Sequence, residues 1–383
     1  MQNMRQLAID ALPLLLQGGI SNYVGPLAKH LVSGAGEKWR VDLVFRMAAS
    51  CSRLESYRRY CREHHDRPAG HRRIFIPDRW ITRLWENGYF IPLRRRGESP
   101  GIFLATTGLV PRLKPGANGA VGWIVYDLIP LKIPGFFTAD VETFTRLARE
   151  RANRADFIIA ISETTRRDVI DILKYPESKV CVIYPGVARY ETALNAAPLL
   201  SPAARPYIFY SGSLALNKNV DGLIRVFARC IHRHHLDLDL VLSGKDFCGR
   251  GYWRQLVRDE KLEGRVHITG WVSDRKRDAL LANAMMAWQF SWYEGFGLSI
   301  LEAASMGIPV LYSNRGAAGE ILCNPEQEID PADEEAAADK AAAACRSPEV
   351  LLQWKKHGLA RAAKYSWEKS AEKLLDWCAR NAG

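Results

Sequence analysis

Two carboxylates, Glu294 and Glu302, stand with seven residues between them in the stretch SWYEGFGLSILEAASMGIPVLYSNRGAAGEI, residues 291–321. Gly-Phe-Gly at 295–297 lies between them, and the residues beyond read as a helix over 299–306, a Gly307 stop and a buried strand over 308–312. A glycine loop opening into a helix is an anion site, because the first amides of a helix lack intrahelical acceptors and its dipole is positive there. Gly295 and Gly297 would let a diphosphate approach the backbone without Cβ clashes. A carboxylate beside a phosphate site repels the phosphate. Two of them therefore make sense as acceptors for hydroxyl groups, on a sugar and on a ribose. The plainer alternative is a βαβ connection carrying two solvated Glu.

The elements that must position these groups repeat one pattern along the chain: strand, small-residue loop, helix. Residues 207–214 read as a strand running through Gly212-Ser213 into Ala215-Leu216-Asn217-Lys218-Asn219 and a helix. Lys218 at that entry would neutralise a phosphate as a bond to it breaks. Further strands are expected over 239–244, ending at Lys245, and over 266–271, with a helix over 274–284 and a strand over 285–290 leading into the two-carboxylate stretch. In the first half, residues 7–16 read as a strand and the glycine turn at 17–20, which includes Gly19, opens a helix over 21–31. Strands are expected over 41–46, 101–105 and 121–128, the last ending in Tyr126-Asp127. Asp127 lies where open α/β sheets bind ligands, though a helix N-cap also suits it. A helix over 146–155, a strand over 155–162 with Ser162 capping the next helix, and a strand over 180–184 complete this half. The Ala- and Pro-rich residues 188–206 read as a linker.

These stretches resemble the retaining glycosyltransferases of family 4, through Glu294, Phe296, Gly297, Leu298 and Glu302, the Lys218-Asn219 loop and the Tyr126-Asp127 segment. The resemblance implies an α/β GT-B fold of two Rossmann-like domains facing across a cleft. The domains would be residues 1–190 for the acceptor and 205–365 for a nucleotide-sugar, with a C-terminal helix at 366–383 crossing back to the first. It implies that Glu294 holds donor-sugar hydroxyls and Glu302 the ribose, and that the amides around Phe296, Gly297 and Leu298 hold the diphosphate. Gly19 would face the donor phosphate and the acceptor, Ser213 and Lys218 would line the phosphate loop, and Trp271 and Val272 would form the base-binding edge. The catalytic set would be Asp127, Lys218 and Glu294. Two positions depart from the family pattern. Tyr126 replaces a His that helps hold the donor sugar, and Asn217 replaces an Arg, for which Lys245 is a candidate substitute.

The implied activity is a retaining hexosyl transfer from a nucleotide-sugar, with mannose from GDP-mannose as the expected donor. UDP- or dTDP-sugars, or a weakly catalytic scaffold of the same fold, are the alternatives. Neither metal nor other cofactor is expected, because helix dipoles and Lys218 would serve the diphosphate in a metal's place. The expected acceptor is a glycan or a polyprenyl-diphosphate-linked sugar in bacterial cell-surface polysaccharide assembly, such as lipopolysaccharide.

At 383 residues and 48% hydrophobic content the chain suits two cored domains. No run approaches the ~18 apolar residues of a membrane helix, and residues 1–10 lack a signal-peptide pattern, which points to a cytoplasmic chain. Eight scattered cysteines without CxxC spacing read as small buried hydrophobes. His232, His234 and His235 read as surface histidines and not as a metal site. The formal net charge of +11 implies an acidic partner. Residues 51–100 hold twelve Arg against six acids, interleaved with Tyr57, Tyr60, Trp80, Trp85, Tyr89 and Phe90. That pattern fits peripheral contact with anionic lipid at the inner face of the membrane, and equally a solvated basic face. Nucleic acid needs only such a patch too, but no nucleic-acid-binding motif accompanies it, so none is expected as a partner.

Overall fold

The computed structural model describes residues 4–16, 19–46, 51–63, 70–75, 80–81, 83–84, 101–112, 119–137, 140–187, 205–249 and 251–381. Gln17 and Gly18 of the glycine turn, most of the Arg-rich stretch, including Trp85, Tyr89 and Phe90, and the linker at 188–204 lie outside them. The chain forms two compact units. One comprises Met1–Leu128, Ala139–Gly186 and Ser366–Gly383, and the other Ile129–Thr138 and Val187–Tyr365.

The first unit is built on a parallel sheet of order β3-β2-β1-β4-β5-β6-β7. Its strands are β1 Arg5–Asp10, β2 Trp39–Arg46, β3 Gly70–Ile74, β4 Gly101–Ala105, β5 Gly119–Val125, β6 Phe157–Ala160 and β7 Val180–Val182. The inner strands are buried on both faces, as apolar runs of parallel strands must be. Their order grows outward from β1 to β3 and then resumes at β4 on the other side, which puts the switch point between β1 and β4. The helix Gly19–Gly34 buries Tyr23, Leu27 and Leu31 along one stripe. Against it packs the C-terminal helix Trp367–Asn381, with the Trp367 ring edge-on to Tyr23 at 5.3 Å and Ser370 Oγ donating to the Tyr184 carbonyl at 2.6 Å. Ser162 accepts from the Thr165 amide and caps the helix Glu163–Leu173.

Two elements of this unit differ from the sequence expectation. The strand expected over 7–16 ends at Asp10 and gives way to a helical turn, Leu12–Leu15. Pro13, which has no N–H to give a ladder, is the second residue of that turn, and Asp10 Oδ1 accepts the Leu12 amide at 3.2 Å. Strand β3, GHRRI, shows no apolar alternation, yet it pairs with β2 from Asp42 beside Gly70 to Arg46 beside Ile74. It is an edge strand, where charged residues are tolerated.

The second unit carries a parallel sheet of order β10-β9-β8-β11-β12-β13. Its strands are β8 Tyr207–Ser211, β9 Asp239–Ser243, β10 Val266–Gly270, β11 Met286–Gln289, β12 Val310–Ser313 and β13 Glu328–Ile329. Trp288, Tyr210 and Phe227 are among the buried side chains of its core. The helix Val220–His232 packs there against Glu334–Arg346, and Arg225, Arg229 and Arg233 pair with Glu334 and Glu335 along the rim. Here too the order reverses, between β8 and β11. Residues Ile129–Thr138, which come after β5 and fall within the first domain on the sequence expectation, belong to this unit. Phe136 stacks on Trp292 at 6.0 Å and the Lys132 ammonium lies 5.4 Å from the centre of the Tyr293 ring. Among the described residues no helix is long and apolar enough to cross a membrane.

Candidate active site

Lys218 and Glu294 sit at the carboxyl ends of β8 and β11, the adjacent parallel strands that flank the switch point of the second sheet. Lys218 closes a helical turn, Leu216–Lys218, and Asn219 takes a left-handed conformation (φ 51°) to start the next helix. Glu294 lies in the loop between β11 and the helix Leu298–Ser305. The Trp292 amide donates to the Asn217 carbonyl at 3.2 Å, which ties the two loops together. Lys218 Nζ then donates to Glu294 Oε1 at 2.8 Å, and Ser291 Oγ donates to the same oxygen at 2.6 Å. Both charged side chains are about a fifth exposed, 23% for Lys218 and 17% for Glu294. An ammonium has three protons, so one on Glu294 leaves two for a phosphate.

Glycines shape this loop at two positions. Gly297 (φ 106°) starts the helix Leu298–Ser305, whose first amides have no intrahelical acceptor. Gly316 (φ 76°) lies so close to the Glu294 backbone that a Cβ there would meet the Glu294 N and O at 2.5 Å. The Ala317 amide donates to the Glu294 carbonyl at 2.9 Å, so main chain and side chain of Glu294 are both held. Phe296 is buried against Tyr365.

Glu302 lies within the same helix with its side chain 20% exposed, and Arg277 Nη2 stands 3.8 Å from its Oε1. Burial pushes the Glu302 carboxyl up from its ordinary range, Arg277 pulls it down, and Asp278 and Asp274 push it up. Of the other expected donor residues in this unit, Ser213 is half-buried and its carbonyl accepts the Tyr210 hydroxyl at 2.8 Å. Lys245 lies over the Phe247 ring at 5.3 Å. Trp271 is 66% exposed just beyond β10, and Val272 is half-buried.

Gly19, Tyr126 and Asp127 belong to the first unit. Gly19 begins its helix exposed, with no atom within 4 Å of the place a Cβ would take, so packing does not require glycine there. Tyr126 is held at three points. Its hydroxyl donates to the Thr106 carbonyl at 3.1 Å, its carbonyl accepts from Thr165 Oγ1 at 3.2 Å, and its ring meets Tyr23 edge-on at 5.5 Å. Burial, then Tyr23 and Asp10, push its phenol well above the usual tyrosine range. The Tyr126 proton is thus committed to the main chain, unlike that of a residue free to reach a sugar hydroxyl. Asp127 is half-buried beside it.

Sequence reasoning missed Ser291, Gly316 and Arg277. It also missed a buried pair at the first sheet's switch point, where Arg46 Nη2 reaches Asp10 Oδ2 at 3.1 Å and Thr107 Oγ1 donates to the same oxygen at 2.9 Å. Nothing in the local sequence marks these residues; each acquires its partner through the fold. The three histidines separate. His232 Nε2 meets the Glu260 carbonyl at 2.9 Å and His235 is exposed, whereas His234 is half-buried beside Asp339.

Two doubly wound parallel sheets, with a cation and a carboxylate paired at a switch point, define a GT-B-type protein. The family model described as "Glycosyltransferase Family 4" matches residues 17–189, and "Glycosyl transferases group 1" matches residues 193–361. O-antigen chain mannosyltransferase B of Escherichia coli is 26% identical over 66% of this chain and 68% of its own length. The MMP alpha-(1->4)-mannosyltransferase of Mycolicibacterium hassiacum is 30% identical over 61% of this chain and 56% of its own. The solved sucrose-phosphate synthase of Thermosynechococcus elongatus has the same fold at a TM-score of 0.73, with 19% identity over 98% of each chain. The chain belongs to the family 4 glycosyltransferases of GT-B fold.

Proposed function

We propose that this protein is a retaining hexosyltransferase that moves mannose from GDP-mannose to a glycan or polyprenyl-diphosphate-linked acceptor in bacterial cell-surface polysaccharide assembly. The observation that carries this reading is the Lys218–Glu294 pair at the switch point, beside the amino end of the helix Leu298–Ser305. In the proposed reaction the bond from the anomeric carbon to the diphosphate oxygen breaks as the acceptor oxygen bonds the same face. The acceptor proton passes to the leaving diphosphate. Lys218 and the amides after Gly297 stabilise that anion, Glu294 orients the sugar through its hydroxyls, and Glu302 takes the ribose. Lys245 and Ser213 contribute to the phosphate loop, Trp271 and Val272 to the base edge, Gly19 faces the donor phosphate and the acceptor, and Asp127 belongs with Lys218 and Glu294 to the catalytic set.

The mannose assignment is supported by the two mannosyltransferase relatives. Peripheral contact with anionic lipid is supported by the helix Cys51–Glu63, where Tyr57 and Tyr60 rest on Phe45 and Arg58, Arg59 and Arg62 stay exposed. A scaffold of weakened catalysis is the second reading, favoured by the commitment of the Tyr126 hydroxyl to Thr106. The test is to incubate the protein with radiolabelled GDP-mannose and vesicles bearing a polyprenyl-diphosphate sugar, then determine the product anomer by NMR. An α-linked mannosyl product upholds the proposal. Binding of the donor with neither transfer nor hydrolysis favours the scaffold.

A further inference from the structure

We propose that Arg277 positions the Glu302 carboxylate to accept both ribose hydroxyls, and so sets how strongly the protein prefers ribonucleotides over their deoxy counterparts. This rests on the proposed function, in which Glu302 holds the ribose. The geometry carries it. Arg277 Nη2 lies 3.8 Å from Glu302 Oε1, beyond hydrogen-bond range but close enough for a strong charge interaction. No described residue donates a hydrogen bond to that carboxylate, so its acceptor positions remain for ligand hydroxyls.

Arg277 is itself clamped. Its Nε and Nη2 donate to Asp278 Oδ1 at 3.1 and 2.9 Å, and its Nη1 donates to Asp274 Oδ1 at 3.2 Å, all from the helix Asp274–Ala282. These bonds hold the guanidinium 3.8 Å from Glu302, where it leaves open the lone pairs that a diol needs. It supplies charge and direction at a fixed distance. The charged groups facing Glu302 are therefore Arg277, Asp278 and Asp274. On the other elements packed against its helix, Lys355 lies at Gly307 beyond the carboxyl end, and Arg361 donates to the carbonyls of Ile321 and Glu320. Burial and the two aspartates favour a protonated Glu302, and Arg277 is the cation that opposes them. A protonated carboxyl would present a donor where two hydroxyl donors must bind.

The test is calorimetric binding of GDP and UDP, each against its 2′-deoxy and 3′-deoxy analogue, from pH 5.5 to 8.5, with wild type, Arg277→Met and Arg277→Lys. Wild type should prefer the ribonucleotide. Arg277→Met should reduce that preference roughly tenfold, and its acid-side loss of ribonucleotide affinity should begin about one pH unit higher. Arg277→Lys, which keeps the charge and loses the clamp, should fall between them. If Arg277→Met does not fold, the double variant Arg277→Met/Asp278→Asn removes the pair together and is read by its ribonucleotide preference alone, since Asp278 opposes Arg277 in the titration of Glu302. A folded variant with the wild-type preference and pH profile would overturn the role of Arg277 and leave the ribose role of Glu302 standing. A wild-type protein that binds ribo and deoxy forms equally would instead remove the ribose role, and this proposal with it.

Discussion

Lys218 Nζ donates to Glu294 Oε1 at 2.8 Å across the switch point of the second sheet, from two loops that the Trp292 amide and Asn217 carbonyl join. On the proposed reading, a cation for phosphate and an acceptor for sugar hydroxyls are thus set against each other before any ligand arrives. Each fixes the other's orientation, and the half-buried setting makes either one costly to leave alone.

Replacing Lys218 with Ala should therefore weaken nucleoside diphosphates by roughly tenfold or more, the scale of a charge-assisted hydrogen bond, while nucleosides bind as before. Titration of a matched pair such as GDP and guanosine checks this. Equal loss for both would count against a phosphate role.

Glu294→Gln keeps the shape and removes the charge. Transfer should fall about a hundredfold through lost orientation of the sugar, with nucleotide affinity within about threefold of wild type. Steady-state rates beside binding constants separate the two effects, and near-normal turnover would contradict the assignment.

Gly316→Ala tests the loop beneath Glu294. The left-handed backbone and the 2.5 Å approach to the Glu294 N and O leave no room for a methyl group. The variant should lose roughly 2 kcal/mol in urea unfolding, together with donor affinity. Unchanged stability would mean that the loop accommodates a side chain.

Tyr126→Phe removes only the hydroxyl that donates to Thr106. It should lower stability by about 1 kcal/mol and keep transfer within about tenfold of wild type. A far larger fall in kcat with intact stability would restore a direct role for the phenol on the sugar.

Glu302→Gln carries a pH signature. Burial raises the folded-state pKa of Glu302, with Arg277 opposing it, so the folded chain holds that proton more tightly than the unfolded one. The stability this group contributes is full below the ordinary carboxylate value, about 4.3, and is lost as pH rises through the raised pKa. Gln suffers no such loss. The variant's thermal stability relative to wild type should accordingly grow from pH 4 to pH 8, and a flat or shrinking difference would contradict this.

How much of the protein is legible in its sequence depends on whether a feature is local. The Gly-Phe-Gly turn, the helix after it, the Ser162 cap and the buried strands each announce themselves within a few residues, because periodicity and backbone conformation are local constraints. The strand expected over 7–16 is too long because a short apolar run has no period of its own, and Pro13 is the signal that should cut it. Strand β3 stays hidden because an edge strand has no need of an apolar pattern. Within the site, Glu294, Glu302 and Lys218 come from motif spacing. Arg277 is one of many arginines in a basic chain, and its place opposite Glu302 arises from helices that meet only in the fold. The segment Ile129–Thr138 changes units for the same reason, since Phe136 finds Trp292 far along the chain.

The central claim, a nucleotide-sugar site organised by Lys218 and Glu294, is tested most directly by thermal stabilisation of the wild-type protein with GDP, UDP, dTDP and ADP, each with and without its common sugars. Binding to the folded state adds RT ln(1 + [L]/Kd), about 2.7 kcal/mol at a hundredfold excess over Kd. The account predicts a clear response to one nucleotide, GDP, and to GDP-mannose. No response to any nucleotide or nucleotide-sugar would contradict it.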